Sequence, residues 1–263
     1  MLRDITLGQY YQTQSLIHRL DPRVKLVATI CYILSLFLIN SVWGYLVAGL
    51  FLAVMIRLSH VPFKFMIKGM KAILFLLLLT VAFNLFLTPG EPVITLWKLT
   101  MTKEGIKMAA MMAVRLSLLI IGSSLMTLTT TPNNLTDGME RLLRPLRRLH
   151  VPVHEIAMMM SIALRFIPIL LEETDKIMKA QIARGADFES GNLLKKAKAL
   201  VPLLVPLFIS AFRRANDLAM AMEARCYRGG DNRTKMKPLV YKRADRLAYI
   251  VILLYLVGCG IVG

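Results

Sequence analysis

Hydrophobic and polar positions fall into long separate blocks along this chain. Five apolar runs occupy residues 26–39, 42–56, 72–87, 108–128 and 247–262. Some are short, but their flanks can extend each of them toward the roughly 20 residues that a helix needs to cross a bilayer. The pattern predicts an all-α integral membrane protein with about five transmembrane helices.

A long basic segment separates the fourth apolar run from the fifth. It covers residues 131–245 and holds 20 Lys and Arg against 12 Asp and Glu, which is a net charge of +8. Start and stop signals predict three helices in it, at residues 133–149, 152–183 and 192–225. We therefore divide the chain into an N-terminal segment with four transmembrane helices (1–130), a cytoplasmic helical domain (131–245) and a C-terminal transmembrane helix (246–263).

Composition and charge give an orientation. The chain of 263 residues is 56% hydrophobic with a mean hydropathy of +0.59, yet its net charge is +17. Lys and Arg are concentrated in the N-terminal segment, the 57–71 connection and the 131–245 segment. The positive-inside rule places these in the cytoplasm, so five spans put the N-terminus inside and the C-terminus outside. Four or six spans would place both ends on one side.

The second and third predicted helices of the basic segment are apolar in their first halves and charged in their second halves. A helix of this length measures about 45 Å, too long to cross upright with a charged half. We expect both to be amphipathic helices lying obliquely at the cytoplasmic boundary. The alternative is a soluble helical hairpin with its own core. Proline predicts hinges within these helices, at Pro168, Pro202 and Pro206.

Both of these long helices end on an arginine between two small residues. The first end is Ala183, Arg184 and Gly185, and the second is Ala224, Arg225 and Cys226. One interpretation is capping, because a cation in the last turn complements the helix dipole and glycine commonly follows it. The other is docking, because an uncovered guanidinium can bond carboxylates or carbonyls in a groove of another protein. Two such ends would fit two equivalent grooves.

These ends belong to a set of motifs that resembles the T component, or EcfT family, of energy-coupling factor (ECF) transporters. The resemblance covers essentially the whole chain. It rests on Ser-Leu-Ile-His-Arg-Leu-Asp-Pro-Arg-Val-Lys at residues 15–25, Thr-Thr-Thr-Pro at 129–132, Ala-Arg-Gly at 183–185 and Glu-Ala-Arg-Cys-Tyr-Arg-Gly-Gly at 223–230. Each motif is modest alone, but their order on this hydropathy profile is specific.

The resemblance implies a multi-pass scaffold in a prokaryotic cell membrane, with long cytoplasmic coupling helices. Two ABC-type ATPases would accept the arginine-containing ends in their grooves, and a substrate-binding S component would pack against the scaffold. ATP hydrolysis by the partners would then drive uptake of vitamins or other micronutrients. Arg184 and Arg225 would carry the coupling. Cys226 departs from the glycine or other small residue usual in the family, and it lowers the backbone freedom at that end.

The sequence indicates no enzyme. It contains no Walker A loop, nucleophile elbow or His/Glu metal pair, and its three cysteines have no zinc-site spacing, so we expect neither a metal nor a cofactor of its own. A self-sufficient secondary transporter or channel is the alternative function. A membrane-anchored nucleic-acid binder would need more aromatics among the basic residues, so we expect no nucleic-acid partner.

Three polar residues near or within apolar runs have structural interpretations. Arg115 lies in the fourth run, where it either pairs inside the protein or snorkels to the membrane surface. His18 and Asp21 precede the first run, and Asp21-Pro22 is a plain helix start. The transported substrate is not readable from this sequence.

Overall fold

A computed structural model of the chain describes residues 10–89, 92–96, 99–186, 188, 193–230, 236 and 238–262. These residues form mostly α-helix, which confirms the predicted fold class. The eight α-helices of the described residues are α1 Pro22–Leu38, α2 Val42–Ser59, α3 Phe63–Leu87, α4 Lys103–Thr129, α5 Pro132–Leu143, α6 Val153–Ala183, α7 Leu193–Ala224 and α8 Arg243–Val262.

A short β-hairpin between α3 and α4 was not predicted from the sequence. Strand β1 (Pro92–Leu96) pairs antiparallel with β2 (Leu99–Thr102), and a bulge separates the Pro92 and Ile94 pairs. Val93, Ile94 and Thr95 are β-branched, which suits a strand. Runs this short carry little signal in a charge-balanced connection, so the hairpin was missed.

Proline divides the first helix that was predicted in the basic segment. The expected helix at 133–149 consists of α5 followed by a 3₁₀ helix, Arg144–Leu149. The α-helix gives way at Pro145, whose ring occupies the space of a preceding carbonyl and which has no N–H to continue the hydrogen-bond ladder. The 3₁₀ helix then ends at His150, whose φ of 60° is left-handed.

Five described helices are long and apolar enough to cross a membrane by length and composition. Three of them, α2, α4 and α8, were predicted as spans. The other two are α6 and the Lys198–Ala224 part of α7, which were predicted as amphipathic helices at the cytoplasmic boundary. Helix α1 has 17 residues and begins with Pro22 and Arg23, while the described apolar part of α3 is the shorter helix Ile73–Phe86. The number of described helices with the length and composition of a span thus agrees with the predicted number of spans.

The chain divides into two compact units. The first, here the bundle unit, holds the described residues within Gly8–Leu142 and Pro238–Gly263. The second, here the α6–α7 unit, holds those within Leu143–Lys237. Helix α5 thus lies almost wholly in the bundle unit, where Gly138 packs against Pro22 and Leu26 of α1. The basic segment predicted at 131–245 therefore contributes to both units.

The core of the bundle unit is formed by α1, α2, α4 and α8. Tyr32, Leu36, Leu52 and Tyr255 are buried at its centre. The Ser35 hydroxyl lies 2.7 Å from the Tyr255 hydroxyl, so α1 and α8 also share a buried hydrogen bond. Outside this core many large apolar side chains are exposed, as expected of helices whose solvent is lipid.

Arg115 bonds within the bundle unit instead of reaching past the end of α4. Its Nε donates to the Tyr45 hydroxyl at 2.7 Å, and its Nη2 donates to the carbonyl of Ile39 at 2.9 Å. Ile39 is the C-cap of α1, where carbonyls lack helical partners and carry the negative end of the dipole. Arg115 is therefore a structural clamp on the end of α1, the first of its two predicted alternatives.

The motif at residues 15–25 forms a buried polar cluster at the start of α1. Both carboxylate oxygens of Asp245, which is 2% exposed, accept backbone N–H groups, from Asp21 at 2.8 Å and Lys242 at 2.7 Å. Lys25 Nζ donates to the carbonyls of His18 and Thr129. The motif thus joins the starts of α1 and α8 to the end of α4.

His18 is held in this cluster through both ring nitrogens. Nδ1 lies 2.7 Å from the Ser15 hydroxyl, and Nε2 lies 3.0 Å from the carbonyl of Tyr11. Burial and the nearby charge of Lys25 lower the pKa of His18 below its usual value of 6.5. The structure thus gives His18 a structural role, as it does Asp21, which caps α1 by accepting from Arg23 N.

Replacing Asp245 with Ala tests the cluster. The change leaves two N–H groups without their acceptor in a buried position, at a cost of about 1–3 kcal/mol each. We expect a clear fall in the midpoint of thermal unfolding in detergent, and a smaller fall for Asp245→Asn. Asp217→Ala, at an exposed position on α7, should shift the midpoint little. Equal midpoints for Asp245→Ala and Asp217→Ala would contradict the assigned role.

The His18 pKa predicts a pH dependence of stability. In the unfolded chain His18 binds a proton near pH 6.5, whereas in the folded chain its lowered pKa keeps it neutral to a lower pH. The free energy of unfolding therefore falls as the pH drops below about 6.5. Thermal unfolding of the wild type and of His18→Gln between pH 5 and 8 measures this. The slope below pH 6.5 should be shallower in the variant, and identical slopes would argue against the assignment.

Candidate functional site: two arginine-containing helix ends

The end of α6 is a Schellman motif with Arg184 as its C-cap. Gly185 N donates to the carbonyl of Ile182 at 2.9 Å, and Ala186 N donates to that of Gln181 at 3.0 Å. Gly185 has a φ of 87°, the left-handed conformation that this motif needs. The N–H groups of Gly185 and Ala186 satisfy two helical carbonyls, and the left-handed glycine stops the helix directly after Arg184.

The end of α7 has the same geometry. Cys226 N donates to the carbonyl of Glu223 at 2.8 Å, and Tyr227 N donates to that of Met222 at 3.0 Å. Cys226 has a φ of 54°, so a cysteine holds the left-handed position that glycine holds in α6. Arg225 therefore occupies the same position as Arg184. The duplicated sequence pattern corresponds to duplicated local structure.

Both arginine side chains are exposed at these ends, as are their small neighbours Ala183, Gly185, Ala224 and Cys226. The backbone amides of the Schellman motifs already satisfy the terminal carbonyls. Neither guanidinium is hydrogen bonded to another described part of the chain. The positive charges of the two arginines still complement the helix dipoles. Their side chains do not cap the helices through hydrogen bonds, and their guanidinium donors are exposed.

Helices α6 and α7 pair antiparallel. Arg214 Nη2 of α7 lies 2.8 Å from Glu173 Oε2 of α6, and Gln181 of α6 donates to the carbonyl of Pro202 of α7 at 3.4 Å. Moving along α6 toward its end therefore means moving along α7 toward its start. The two arginine-containing ends lie at opposite ends of the pair.

The axial separation of the two arginines follows from this register. Arg184 is about one turn beyond Gln181, which contacts Pro202. From Pro202 to Arg225 is about 23 residues, or about 35 Å of helix. The pair therefore presents its arginines about 35–40 Å apart along its length, each at the end of a long helix.

The contact between Gln181 and Pro202 has a cause in the backbone of α7. Pro206 has no N–H, so the carbonyl of Pro202, four residues earlier, loses its helical donor. The Gln181 side chain donates to that carbonyl from one turn before Arg184. The predicted hinge residues Pro168, Pro202 and Pro206 all lie inside continuous helices, so the helices do not break there. Hinge motion at these positions stays a prediction.

A cleft of about 300 Å³ lies between the two helices near the ion pair. Alanines 211, 215 and 219 line the α7 side at a spacing of four residues, and Ile162, Phe166 and Leu170 line the α6 side. Small residues let helices approach closely, yet the two helices leave this volume between them. The pair is therefore positioned by few contacts and is loosely packed here.

The residues after Arg225 fold back onto the start of α6. Gly229 adopts a φ of 90°, and Gly230 lies directly on the ring of His154, where no side chain would fit. This explains the Gly-Gly pair at the end of the last motif. The geometry fixes the end of α7 against α6.

Comparison with known proteins identifies the family. The profile of the CbiQ family, described as cobalt transport protein, matches residues 13–236. The chain belongs to this family. Relatives named energy-coupling factor transporter transmembrane protein EcfT occur in Clostridium kluyveri, at 58% identity over 94% of this chain and 93% of the relative, and in Bacillus subtilis, at 48% over 93% of each. A third, in Ruminiclostridium cellulolyticum, is 56% identical over 94% of this chain and 92% of its own.

Membership of the CbiQ family agrees with the resemblance stated from the motifs. The matched region includes the motif at residues 15–25, α5, both arginine-containing ends and the Gly-Gly pair. Sequence reasoning named Arg184 and Arg225 but missed Gln181, Glu173 and Arg214, which set the register. None of the three stood out in the sequence, because the second halves of both helices contain many polar residues.

Exchanging the left-handed residues tests the shared geometry. Gly185→Ala introduces a Cβ at φ 87°, at a cost of about 1 kcal/mol, although no atom obstructs it. We expect about fivefold faster hydrogen exchange for the last-turn amides of α6. Cys226→Gly removes the same strain from α7, so exchange there should not accelerate. Unchanged protection in Gly185→Ala would contradict the Schellman assignment.

Proposed function

We propose that this chain is the transmembrane T component of an ECF transporter, which couples ATP hydrolysis by two partner ATPases to substrate uptake through an S component. Family membership and the names of the bacterial relatives support this assignment. The observation that carries the coupling role is the pair of matching, outward-facing arginines at opposite ends of α6 and α7.

Each arginine-containing end suits insertion into a groove of a cytoplasmic ATPase. The Schellman motif stops the helix at once, so the guanidinium lies at the tip with small residues on both sides. A planar guanidinium can form two parallel hydrogen bonds with a carboxylate, and this geometry is lost with lysine. A separation of about 35–40 Å suits one contact with each of two ATPase subunits.

The antiparallel pair also suits transmission of movement. If the ATPases approach or separate, the two tips are displaced in opposite directions along the pair. The resulting shear acts on α6 and α7 where they contact each other, near the ion pair and the partly empty cleft. A loosely packed crossing resists such sliding less than a filled core would. The helix pair therefore converts ATPase closure into a change at its exposed apolar surface.

The apolar half of α7 is the surface on which we place the S component. Residues 200–212 expose large side chains, among them Leu204, Phe208 and Phe212. An apolar surface of this size on one helix is stable only against lipid or another protein. Its neighbour across the pair is the Arg184 end of α6, so a movement of that tip reaches this surface directly.

Energy must come from outside the chain, because its sequence has no phosphate-binding Walker A loop. We assign ATP binding and hydrolysis to the partner subunits and substrate choice to the S component. The chain itself needs no cofactor for this role. The membrane of a bacterial cell is the location that the relatives support.

The double variant Arg184→Lys/Arg225→Lys tests the docking proposal. Charge and helix dipole complementarity are kept, but two-pronged hydrogen bonding is lost. We expect affinity for the ATPases, measured on the complex in mild detergent, to fall at least about tenfold. Each single variant should weaken only one of the two contacts.

A matched control is Arg165→Lys/Arg213→Lys, which makes the same change at one exposed arginine within each helix and not at its C-terminal end. This control should retain ATPase binding and uptake. Wild-type affinity in the Arg184→Lys/Arg225→Lys variant would reject docking through these ends. Failure of the chain to co-purify with any ATPase would reject the coupling role altogether.

A further inference from the structure

Arg23, in the first turn of α1, makes contacts that the capping of this helix does not require. Its side chain forms a two-pronged ion pair with the capping carboxylate of Asp21, at 3.0 Å from Nε and 2.7 Å from Nη2. The guanidinium also contacts two residues that precede α8. Nη2 donates to the carbonyl of Leu239 at 3.3 Å, and the guanidinium carbon lies 3.8 Å from the centre of the Tyr241 ring. Leu239 follows Arg23 by 216 residues, so these contacts are tertiary.

These two contacts hold the segment that leads into α8, residues 238–242. The segment has no regular secondary structure, so no helical hydrogen bonds fix its backbone. Arg23 contacts its middle, and Asp245 accepts from the backbone N–H of Lys242 at its end. A guanidinium suits this position because its flat face stacks on an aromatic ring while its edge donates hydrogen bonds. The Arg23 side chain is 12% exposed, so its contacts are largely shielded from water.

The same turn of α1 also contacts α5. An added Cβ at Gly138 would lie 3.0 Å from Pro22 Cβ and 3.3 Å from Leu26 Cδ1, so the backbone of α5 lies directly on this turn. Arg141, three residues further along α5, attracts the Asp21 carboxylate. One turn of α1 therefore holds both α5 and the segment before α8.

Helix α5 and residues 238–242 are the parts of the bundle unit that connect to the α6–α7 unit along the chain. The α6–α7 unit begins after Leu142, at the end of α5, and the bundle unit resumes at Pro238. All the contacts of Arg23 and Gly138 described above lie within the bundle unit. A force that passes along the backbone through either connection therefore acts first on the same turn of α1.

From these contacts we infer that Arg23 is a positioning residue for coupling, which holds the connection before α8 on the turn of α1 that also contacts α5. Movement of α6 and α7 then enters the bundle unit along the chain at one place. This inference rests on the proposed function. Helix α1 supplies Tyr32 and Leu36 to the core of the bundle unit, so a displacement of its first turn reaches that core through packed side chains.

Arg23→Lys tests this role in the complete transporter, reconstituted with its ATPases and S component. Lysine keeps the positive charge beside Asp21, but it lacks the planar fork that bonds and stacks at once. We expect ATPase binding and ATP hydrolysis to be kept, while the ratio of substrate taken up to ATP hydrolysed falls about fivefold. Arg19→Lys is the matched control, because Arg19 is exposed and donates to its near neighbour Gln14. It should leave the ratio unchanged.

Three further variants separate positioning from stability. Arg115→Lys weakens the clamp at the other end of α1, away from both connections, so it should lower the midpoint of thermal unfolding and leave the ratio unchanged. Tyr241→Ala removes the ring on which Arg23 stacks but keeps the ion pair with Asp21, and it should lower the ratio about threefold. Tyr241→Phe keeps the ring and should retain the wild-type ratio.

The inference is overturned if Arg23→Lys and Arg19→Lys give the same ratio, or if Arg115→Lys lowers the ratio as far as Arg23→Lys does. Loss of ATPase binding in Arg23→Lys would also overturn it, because Arg23 would then act on docking. If Arg23→Lys does not assemble, equal ratios for Tyr241→Ala and Tyr241→Phe would reject the inference. A wild-type chain that binds no ATPase would reject the proposed function, and this inference with it.

Discussion

The antiparallel register of α6 and α7 is the constraint on which the proposed coupling depends. It places Arg184 and Arg225 at opposite ends of the helix pair, and it sets their separation. The ion pair between Glu173 and Arg214 is partly exposed, so it contributes at most about 1 kcal/mol. Its effect is to specify which residues face each other. Stability of the pair comes from the apolar contacts on either side of the cleft.

In the bundle unit, buried polar side chains bond to backbone groups at the ends of helices. Three of its charged side chains satisfy backbone groups that lipid could not satisfy. Arg115 donates to the carbonyl of Ile39 at the end of α1, and Lys25 donates to the carbonyl of Thr129 at the end of α4. Asp245 accepts hydrogen bonds from two backbone N–H groups. In a medium without water, such contacts fix how helix ends meet. Rigidity is thus concentrated in the bundle unit, while loose packing is found at the α6–α7 crossing.

The features that depend on local residue patterns could be predicted from the sequence. The apolar runs gave the helices, and the boundaries of α6 and α7 agreed within a residue or two because strong stop signals end them. The duplicated arginine ends were visible because each is three consecutive residues. The break at Pro145 was readable in principle, yet a continuous helix was predicted. Alignments between distant segments were not accessible, because Gln181 and Pro202 meet only once the register of two helices is known. The same holds for His154 and Gly230.

The difference between Gly185 and Cys226 is explained by what surrounds each helix end. A cysteine at φ 54° costs about 1 kcal/mol more than glycine, so the neighbouring structure must hold it there. At the end of α7 that support is present, because the chain continues through Gly229 and Gly230 onto His154. At the end of α6, Gly185 adopts its conformation without penalty and needs no such support. Arg225 therefore occupies the same position at the end of α7 as Arg184 does at the end of α6, although Cys226 replaces glycine there.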